Sequence, residues 1–165
     1  MTLKLIGAAM ALVAGLMISA GGAAAHDDMG AMPTTPGGKA AYARHENYKQ
    51  VGGAFKAIND ELKKDAPSSA VLVPAATKLK DLAAKAPSWF PKGSGAESGF
   101  KTAAKPEIWS DAPGFAAALA KFSTETTKLQ QFAAANDIDG MKGQVRATGG
   151  ACKGCHDNYR VPEQH

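Results

Sequence analysis

The chain has 165 residues, and its 19 lysines and arginines against 15 aspartates and glutamates give a formal charge of +4 at pH 7. These cations are scattered among the acidic residues instead of forming a dense basic stripe, which excludes a typical nucleic-acid-binding protein. The length suits one domain that is large enough to bury its own core.

The N-terminus has the features of a secretory signal. Lys4 precedes an uncharged apolar stretch over residues 5–20, and residues 23–25 are three alanines that suit a signal peptidase. We therefore predict that residues 1–25 are a signal peptide, that the remaining chain is periplasmic, and that no membrane segment remains after cleavage. Loss of Lys4 leaves a formal charge of about +3.

The rest of the chain has a helical pattern after a short leader. Residues 26–38 are polar and rich in proline and glycine, so we predict a flexible leader. Apolar side chains then recur at intervals of three and four in four stretches. The predicted helices cover residues 39–64, 71–86, 111–133 and 137–159, with an aromatic connection at 88–110. Pro74 is expected in a first turn. These elements predict an all-α, antiparallel four-helix bundle over residues 39–165.

The only two cysteines lie in the sequence Cys-Lys-Gly-Cys-His at residues 152–156. This C-x-x-C-H pattern is the attachment signature of c-type haem. On a helix, positions i, i+3 and i+4 share one face, so Cys152 and Cys155 can form thioethers with two vinyl groups while His156 ligates the iron. We therefore predict one covalently attached haem c, with its iron, per chain.

Three other uses of a C-x-x-C pair are less consistent with this chain. A thioredoxin-like dithiol needs a strand-helix context, which the periodicity lacks. A structural zinc site needs four ligands, and the other histidines, His26, His45 and His165, are far apart in the sequence. A disulfide across so short a loop on a regular helix would be strained. Because no acid and base pair or activated nucleophile is recognisable, we do not expect an enzyme.

The position of C-x-x-C-H on the last helix, continued as CKGCHDNYR, resembles class II c-type cytochromes and particularly the cytochrome c′ group. Three further segments are similar to that family: RHENYKQVGGAFK at 44–56, WFPKGSG at 89–95 and KPEIWSD at 105–111. Together they cover residues 39–160. The resemblance implies a haem protein that transfers single electrons, binds NO or CO, and forms a homodimer through its first helix.

The resemblance also implies a role for individual residues. Cys152 and Cys155 would hold the haem, and His156 would be the proximal ligand of the iron. Arg44 would pair with a haem propionate, and Arg160 would lie near the haem edge. The family often has glutamine at the position of His45, hydrogen-bonded near a propionate, and the histidine would take its place. The distal pocket would be formed by Tyr48, Phe55 and Phe90.

The position four residues after Arg44 distinguishes two kinds of site within the family. Low-spin members have a methionine there that binds the iron, whereas typical cytochromes c′ have a residue that does not. Because this chain has Tyr48, we expect high-spin, five-coordinate iron. The alternative is a low-spin, six-coordinate electron carrier, whose sixth ligand would be Met29, Met32 or His45.

A redox partner protein is expected at the haem edge. Lys142, Lys153 and Arg160 could form a basic rim there, which would favour an acidic partner. Gly52 and Gly53 on the first helix are compatible with the close packing of a homodimer.

Overall fold

The computed structural model of the chain describes residues 32–162. The predicted signal peptide, residues 26–31 of the predicted leader, and residues 163–165 lie outside this part. Four long helices form an antiparallel four-helix bundle, which confirms the predicted fold. They are α1 (Pro36–Leu62), α2 (Ser69–Lys85), α4 (Ala112–Ala134) and α5 (Ile138–Tyr159), and the short helix α3 (Glu107–Ser110) precedes α4. None of the described helices is long and apolar enough to cross a membrane.

Helix α1 begins three residues earlier than the periodicity predicts. The Thr35 side chain accepts a hydrogen bond of 3.0 Å from the Gly38 N–H, and Pro36 occupies the first helical position. Both features favour helix initiation, and they outweigh the low helix propensity of the two following glycines. Residues 36–38 therefore form the first turn of α1 and are not part of a flexible leader.

The start of α2 also differs from the prediction. The helix begins at Ser69, so Pro74 lies inside it and not in its first turn. Proline at this position removes one backbone hydrogen bond to the preceding turn. Apolar burial offsets that loss, because Leu72, Ala76 and Leu79 are each at most 1% exposed.

Two aspartates determine where the last two long helices begin. Asp111 accepts a hydrogen bond of 3.2 Å from the Gly114 N–H, and Asp137 accepts one of 2.8 Å from the Gly140 N–H. Each bond satisfies a backbone donor that the first turn of a helix leaves open. Between α4 and α5, Asn136 adopts a left-handed conformation with φ of 52°, which lets the chain reverse within a few residues.

The main core runs along the bundle and contains the predicted apolar stripes. On α4, apolar and small side chains spaced three and four residues apart are buried, and all of them except Thr126 belong to the main core or to a second cluster near the start of the helix: Phe115, Leu119, Phe122, Thr126, Leu129 and Ala133. Helix α1 packs along α2, α2 along α4, and α4 along α5, whereas α1 and α5 touch at few points. The first and last helices are therefore not joined by direct packing along their length.

The connection between α2 and α4 is packed against α1. It contains two single-turn 3-10 helices, Ala86–Trp89 and Ala96–Ser98, in addition to α3. Its backbone comes so close to α1 that a Cβ atom at Gly37 would collide with the carbonyl oxygen of Gly93. Only glycine leaves room for this approach.

We expect alanine at two glycines of α1 to shift the melting temperature in opposite directions. Gly37→Ala should destabilise the protein by about 1–3 kcal/mol, because the added methyl group forces the connection away from α1. At Gly52 a Cβ atom meets nothing within 4 Å, so Gly52→Ala should stabilise the helix by up to about 1 kcal/mol. Thermal unfolding followed by circular dichroism measures both effects, and equal melting temperatures would contradict the close approach at Gly37.

Candidate functional site

Helix α5 presents the motif residues within little more than one turn. Cys152 and Cys155 are half-buried free thiols, and His156 is exposed at the next position. Cys152 packs against the main core, and Cys155 packs against a second cluster that includes Ile108 and Phe115. The two thiols therefore lie on a strip of α5 that faces other side chains of the protein.

The surroundings of the thiols make them poor redox nucleophiles. Burial raises the pKa of Cys152, and burial together with the neighbouring Cys152 raises the pKa of Cys155 to about 11. A catalytic dithiol needs a thiol pKa below the ordinary value, which a cation or a helix N-terminus usually provides. This pair lies in the last turns of its helix, so the geometry disfavours the dithiol alternative.

Helix α1 supplies an aromatic side chain next to the thiols. The Tyr48 ring makes edge-to-face contacts with Trp89, at 5.2 Å between centroids, and with Phe90, at 6.2 Å. Burial raises the pKa of Tyr48 well above its usual range, and the nearby Cys155 and Cys152 thiols add to this rise. The phenol therefore lies close to the attachment motif and stays protonated at neutral pH.

Phe55 extends this aromatic wall along α1. A Cβ atom at Gly149 would lie 3.8 Å from Cζ of Phe55, so the ring reaches α5 one turn before the cysteines. At Gly150 a Cβ atom would meet nothing within 4 Å, which leaves the surface of α5 flat beside the motif. The predicted pocket residues Tyr48, Phe55 and Phe90 are thus brought to the same side of the bundle as the C-x-x-C-H motif.

Aromatic contacts continue from Phe90 to the last turn of α5. The Phe90 ring contacts Phe115 at 4.7 Å, and Phe115 contacts Tyr159 at 5.1 Å. The Tyr159 hydroxyl donates a hydrogen bond of 2.7 Å to Asp111, which together with burial raises the pKa of Tyr159 to about 12. Phe115 and Tyr159 are not among the predicted site residues, because a helical period shows which side chains point inward but not which helix faces meet.

Arg44 is only 4% exposed and is bound by the connection. Nη1 donates to the Trp89 carbonyl at 3.3 Å and to Ser94 Oγ at 2.8 Å, and Nη2 donates to the Ser94 carbonyl at 2.7 Å and to Thr102 Oγ1 at 2.9 Å. The guanidinium also lies over the Phe90 ring, 4.9 Å from its centroid. Only the Nε–H is not used in these four bonds. Pairing with a propionate stays a prediction.

His45 has a buried polar atom that lacks a partner. Within residues 32–162, Nε2 of this histidine makes no hydrogen bond. Burying such an atom without a partner is unfavourable. A carboxylate beside it would satisfy this nitrogen, so His45 fits the predicted position near a haem propionate.

Arg160 lies where the end of α5 meets the connection. It forms an isolated antiparallel bridge with Ala104, and the flanking backbone hydrogen bonds measure 2.8 and 3.1 Å. The half-buried arginine follows His156 by four residues, and its backbone N–H donates to the His156 carbonyl at 3.0 Å. Its role at the haem edge stays a prediction.

Neither methionine that was named as an alternative iron ligand lies in the described bundle. Met29 lies outside the described residues, and Met32 is 65% exposed ahead of α1.

In the part of the chain that the structure describes, no three His, Cys, Asp or Glu side chains converge as a metal-binding group. The structure therefore offers no ligand set for the zinc alternative within residues 32–162.

The predicted basic rim is weaker than the sequence indicates. Lys153 forms an ion pair of 2.6 Å with Asp157, and Lys142 forms one of 3.7 Å with Asp139. Both pairs join residues three or four apart on α5 and are exposed to solvent. The acidic neighbours offset much of the positive field that an acidic partner would meet.

A sequence model of the cytochrome c′ family matches residues 39–160. The chain belongs to the cytochrome c′ family. It is 47% identical over 68 residues to cytochrome c′ of Rubrivivax gelatinosus, in an alignment that covers 41% of this chain and 53%, about half, of that relative. It is 32% identical over 117 residues to cytochrome c′ of Pararhodospirillum photometricum, covering 71% of this chain and 92% of the relative. Cytochromes c′ bind haem c and are electron-transfer or gas-binding proteins.

Solved structures of cytochromes c′ have the same fold. The Rubrivivax gelatinosus crystal structure aligns with a TM-score of 0.69 at 32% identity, covering 75% of this chain and 96% of that one. A nitric oxide complex of a cytochrome c prime variant from Alcaligenes xylosoxidans gives 0.69 at 29% identity, covering 76% and 97%. A carbon monoxide complex of another variant of that protein gives the same values.

The residues of this cytochrome c′ site fit a covalently held haem. Two thiols on one strip of α5 suit the two vinyl groups, and the aromatic wall from Tyr48 to Phe90 suits the apolar macrocycle. The unpartnered nitrogen of His45 suits a propionate. The site therefore offers an attachment point, an apolar wall and a polar contact to one porphyrin.

Replacing both Cys152 and Cys155 with alanine should make the haem extractable with acidified acetone, because both thioether bonds are lost. Each single variant keeps one bond and should resist extraction, as should Lys153→Ala, which changes the motif without removing a thiol. The measurement is the haem absorbance of the protein pellet after extraction. Haem that stays with the double variant would show that attachment does not use these cysteines.

Proposed function

We propose that this chain is an exported c-type haem protein with one haem c held by Cys152 and Cys155. His156 is its only protein ligand to the iron, which is five-coordinate and high-spin. The protein transfers single electrons, binds NO or CO, or does both, and it is not an enzyme. The predicted signal peptide delivers it to the periplasm, where it acts as a homodimer with a redox partner protein.

One observation carries this proposal: the α1 side chain beside the thiols is Tyr48, packed between aromatic rings, and not a methionine. Burial raises the pKa of the Tyr48 phenol, which favours its neutral form over the phenolate. The protein thus provides no strong ligand at this position. Tyr48 would therefore leave the bound iron without a protein ligand at this position.

The chain's own residues determine what can reach that face. When bound, the haem supplies an iron that exchanges one electron and accepts a diatomic ligand. Tyr48, Phe55 and Phe90 surround the approach with apolar surface, which disfavours water and anions. An uncharged diatomic needs no hydrogen-bond donor to enter. The nitric oxide and carbon monoxide complexes of the related structures support the same ligand class here.

A specific observation also favours the low-spin alternative. Nε2 of His45 is buried without a partner among the described residues, so this histidine has a free nitrogen that could bind iron. Helical geometry is against it, because adjacent residues on α1 project about 100° apart and the neighbouring Arg44 points to the connection. A protein ligated in this way would only carry electrons.

The dithionite-reduced holoprotein should show a broad, unsplit visible band that changes when CO is added. This outcome follows from an iron whose distal side has no protein ligand. Absorption spectra before and after CO addition provide the measurement. Sharp, separate α and β bands that CO does not alter would contradict the proposal, and a His45→Ala variant that then bound CO would identify the sixth ligand.

Tyr48→Met should shift the reduced iron towards low spin, because the thioether sulfur replaces a phenol that does not ligate. Tyr42→Met is the matched control: Tyr42 is also on α1, but its ring packs on Phe100 at 5.9 Å, away from the thiols. The visible spectrum, supported by magnetic circular dichroism, reports the spin state. If both variants keep the parental spectrum, α1 does not present residue 48 to the iron.

A further inference from the structure

The bonds of Arg44 reach a whole segment of the connection. We call residues 89–102 the strap. Arg44 donates to its first residue, Trp89, to Ser94 near its middle through two separate bonds, and to its last residue, Thr102. One side chain of α1 thus holds the strap at three points.

The centre of this contact is closed to water. Ser94 is 0% exposed and Arg44 is 4% exposed. The Ser94 hydroxyl accepts from Arg44 and donates to the Pro91 carbonyl at 2.7 Å, so both partners of the bond are satisfied. Hydrogen bonds to a charged group that is shielded from solvent are among the stronger ones in proteins. The strap therefore depends on the guanidinium more than on its other contacts with α1.

Those other contacts lie nearer the start of α1. Thr35 Oγ1 donates to the Ser98 carbonyl at 3.3 Å, and the Tyr42 ring meets Phe100 edge to face. The Thr35 hydroxyl is exposed and the contact between the Tyr42 and Phe100 rings carries no charge, so each holds less firmly than a buried charged bond. They also lie away from the residues that contact Tyr48.

The strap carries two rings of the site. Trp89, whose carbonyl Arg44 binds, and Phe90, whose ring lies under the guanidinium, are the two aromatic residues in contact with Tyr48. At its other end the strap continues to Ala104, which bridges to the end of α5. Loss of the Arg44 bonds would loosen Trp89 and Phe90 on the side that faces Tyr48, although Trp109 Nε1, which donates to the Phe90 carbonyl at 3.1 Å, still holds them from α3.

We propose that Arg44 is a positioning residue that fastens the strap to α1 and so controls the passage of a diatomic ligand between Trp89, Phe90 and Tyr48. The part that concerns ligand passage rests on the proposed gas-binding function. The fastening of the strap to α1 does not depend on that function. It is a role separate from the predicted pairing of Arg44 with a propionate, because four of the five guanidinium N–H groups are directed to the strap.

Two conservative variants separate the fastening of the strap from the pairing of Arg44 with a propionate, since they alter the strap and leave Arg44 unchanged. Ser94→Ala and Thr102→Val each remove a hydroxyl that Arg44 binds, with almost no change of volume. The matched control is Thr127→Val, whose hydroxyl donates at 2.8 Å to the Ser123 carbonyl within α4. Arg44→Lys keeps the charge but loses the forked donor geometry.

The first readout is limited trypsin digestion of the native holoprotein. Lys92 and Lys101 are exposed residues of the strap, and cleavage after them requires the strap to detach from α1. Loss of one bond to the guanidinium should raise cleavage at both sites roughly tenfold in Ser94→Ala, Thr102→Val and Arg44→Lys. Thr127→Val should be cleaved at the parental rate.

The second readout is the CO association rate of the reduced protein after flash photolysis, which a purely structural role would leave unchanged. We expect it to rise several-fold in the two strap variants and in Arg44→Lys, and to stay constant in Thr127→Val. The reduced spectrum before CO should be the same in Ser94→Ala, Thr102→Val and the parent, because the iron ligand is untouched.

Four results would count against the proposal in different ways. Parental cleavage rates in both strap variants would refute the fastening, and faster cleavage with a parental CO rate would refute the control of ligand passage. If the cleavage rate and the CO association rate change only in Arg44→Lys, the arginine acts by pairing with the propionate and not by fastening the strap. If the parent binds no CO, the gas-binding function and the control of ligand passage fail together, while the cleavage rates still decide the fastening.

Discussion

A buried guanidinium binds the first helix of this bundle to the connection between α2 and α4. Three pairs of neighbouring helices pack along their length, but α1 and α5 touch at few points. The connection joins them indirectly, because Arg44 binds it on the α1 side and Ala104 bridges to the end of α5. The mutual placement of α1 and α5 beside the cysteines thereby depends on the hydrogen bonds of the connection as well as on the packing of α1 on α2 and of α5 on α4.

The arrangement suits a flat cofactor that is covalently bound to one helix and covered by another. Direct packing of α1 on α5 would close the space that a macrocycle needs. Phe55 of α1 lies beside Gly149 of α5, and Tyr48 lies near the thiols. The aromatic residues of the connection close the same region from the side. Each element thus contributes to one site although the elements are far apart in the sequence.

Much of this could be predicted from the sequence, for physical reasons that differ between elements. The buried stripe on α4 and the helical placement of the motif on α5 follow from a regular helical period, and the structure confirms both. The starts of α1 and α2 were not, because the capping bond of Thr35 and the core packing around Pro74 outweigh the local preference of glycine and proline. The spacing of apolar residues does not show the strength of a capping bond or of core packing.

The contacts of the site were harder to predict than its residues. Tyr48, Phe55 and Phe90 were named in advance, but the bonds from Arg44 to Ser94 and Thr102 join positions 50 and 58 residues apart. No local pattern marks a serine or a threonine as the partner of a distant arginine. The only available signal was the number of aromatic residues in the connection, which required it to fold back onto the bundle.

The protected thiols have a consequence for the order of assembly. In the folded bundle both cysteines are half-buried, and the pKa of Cys155 is raised to about 11, so little reactive thiolate is present at neutral pH. The proposed attachment needs access to both thiols, which the packing of the folded bundle partly covers. A chain that meets its haem before α1 closes over α5 would meet that need, and the bound haem would then be part of the core on which α1 packs.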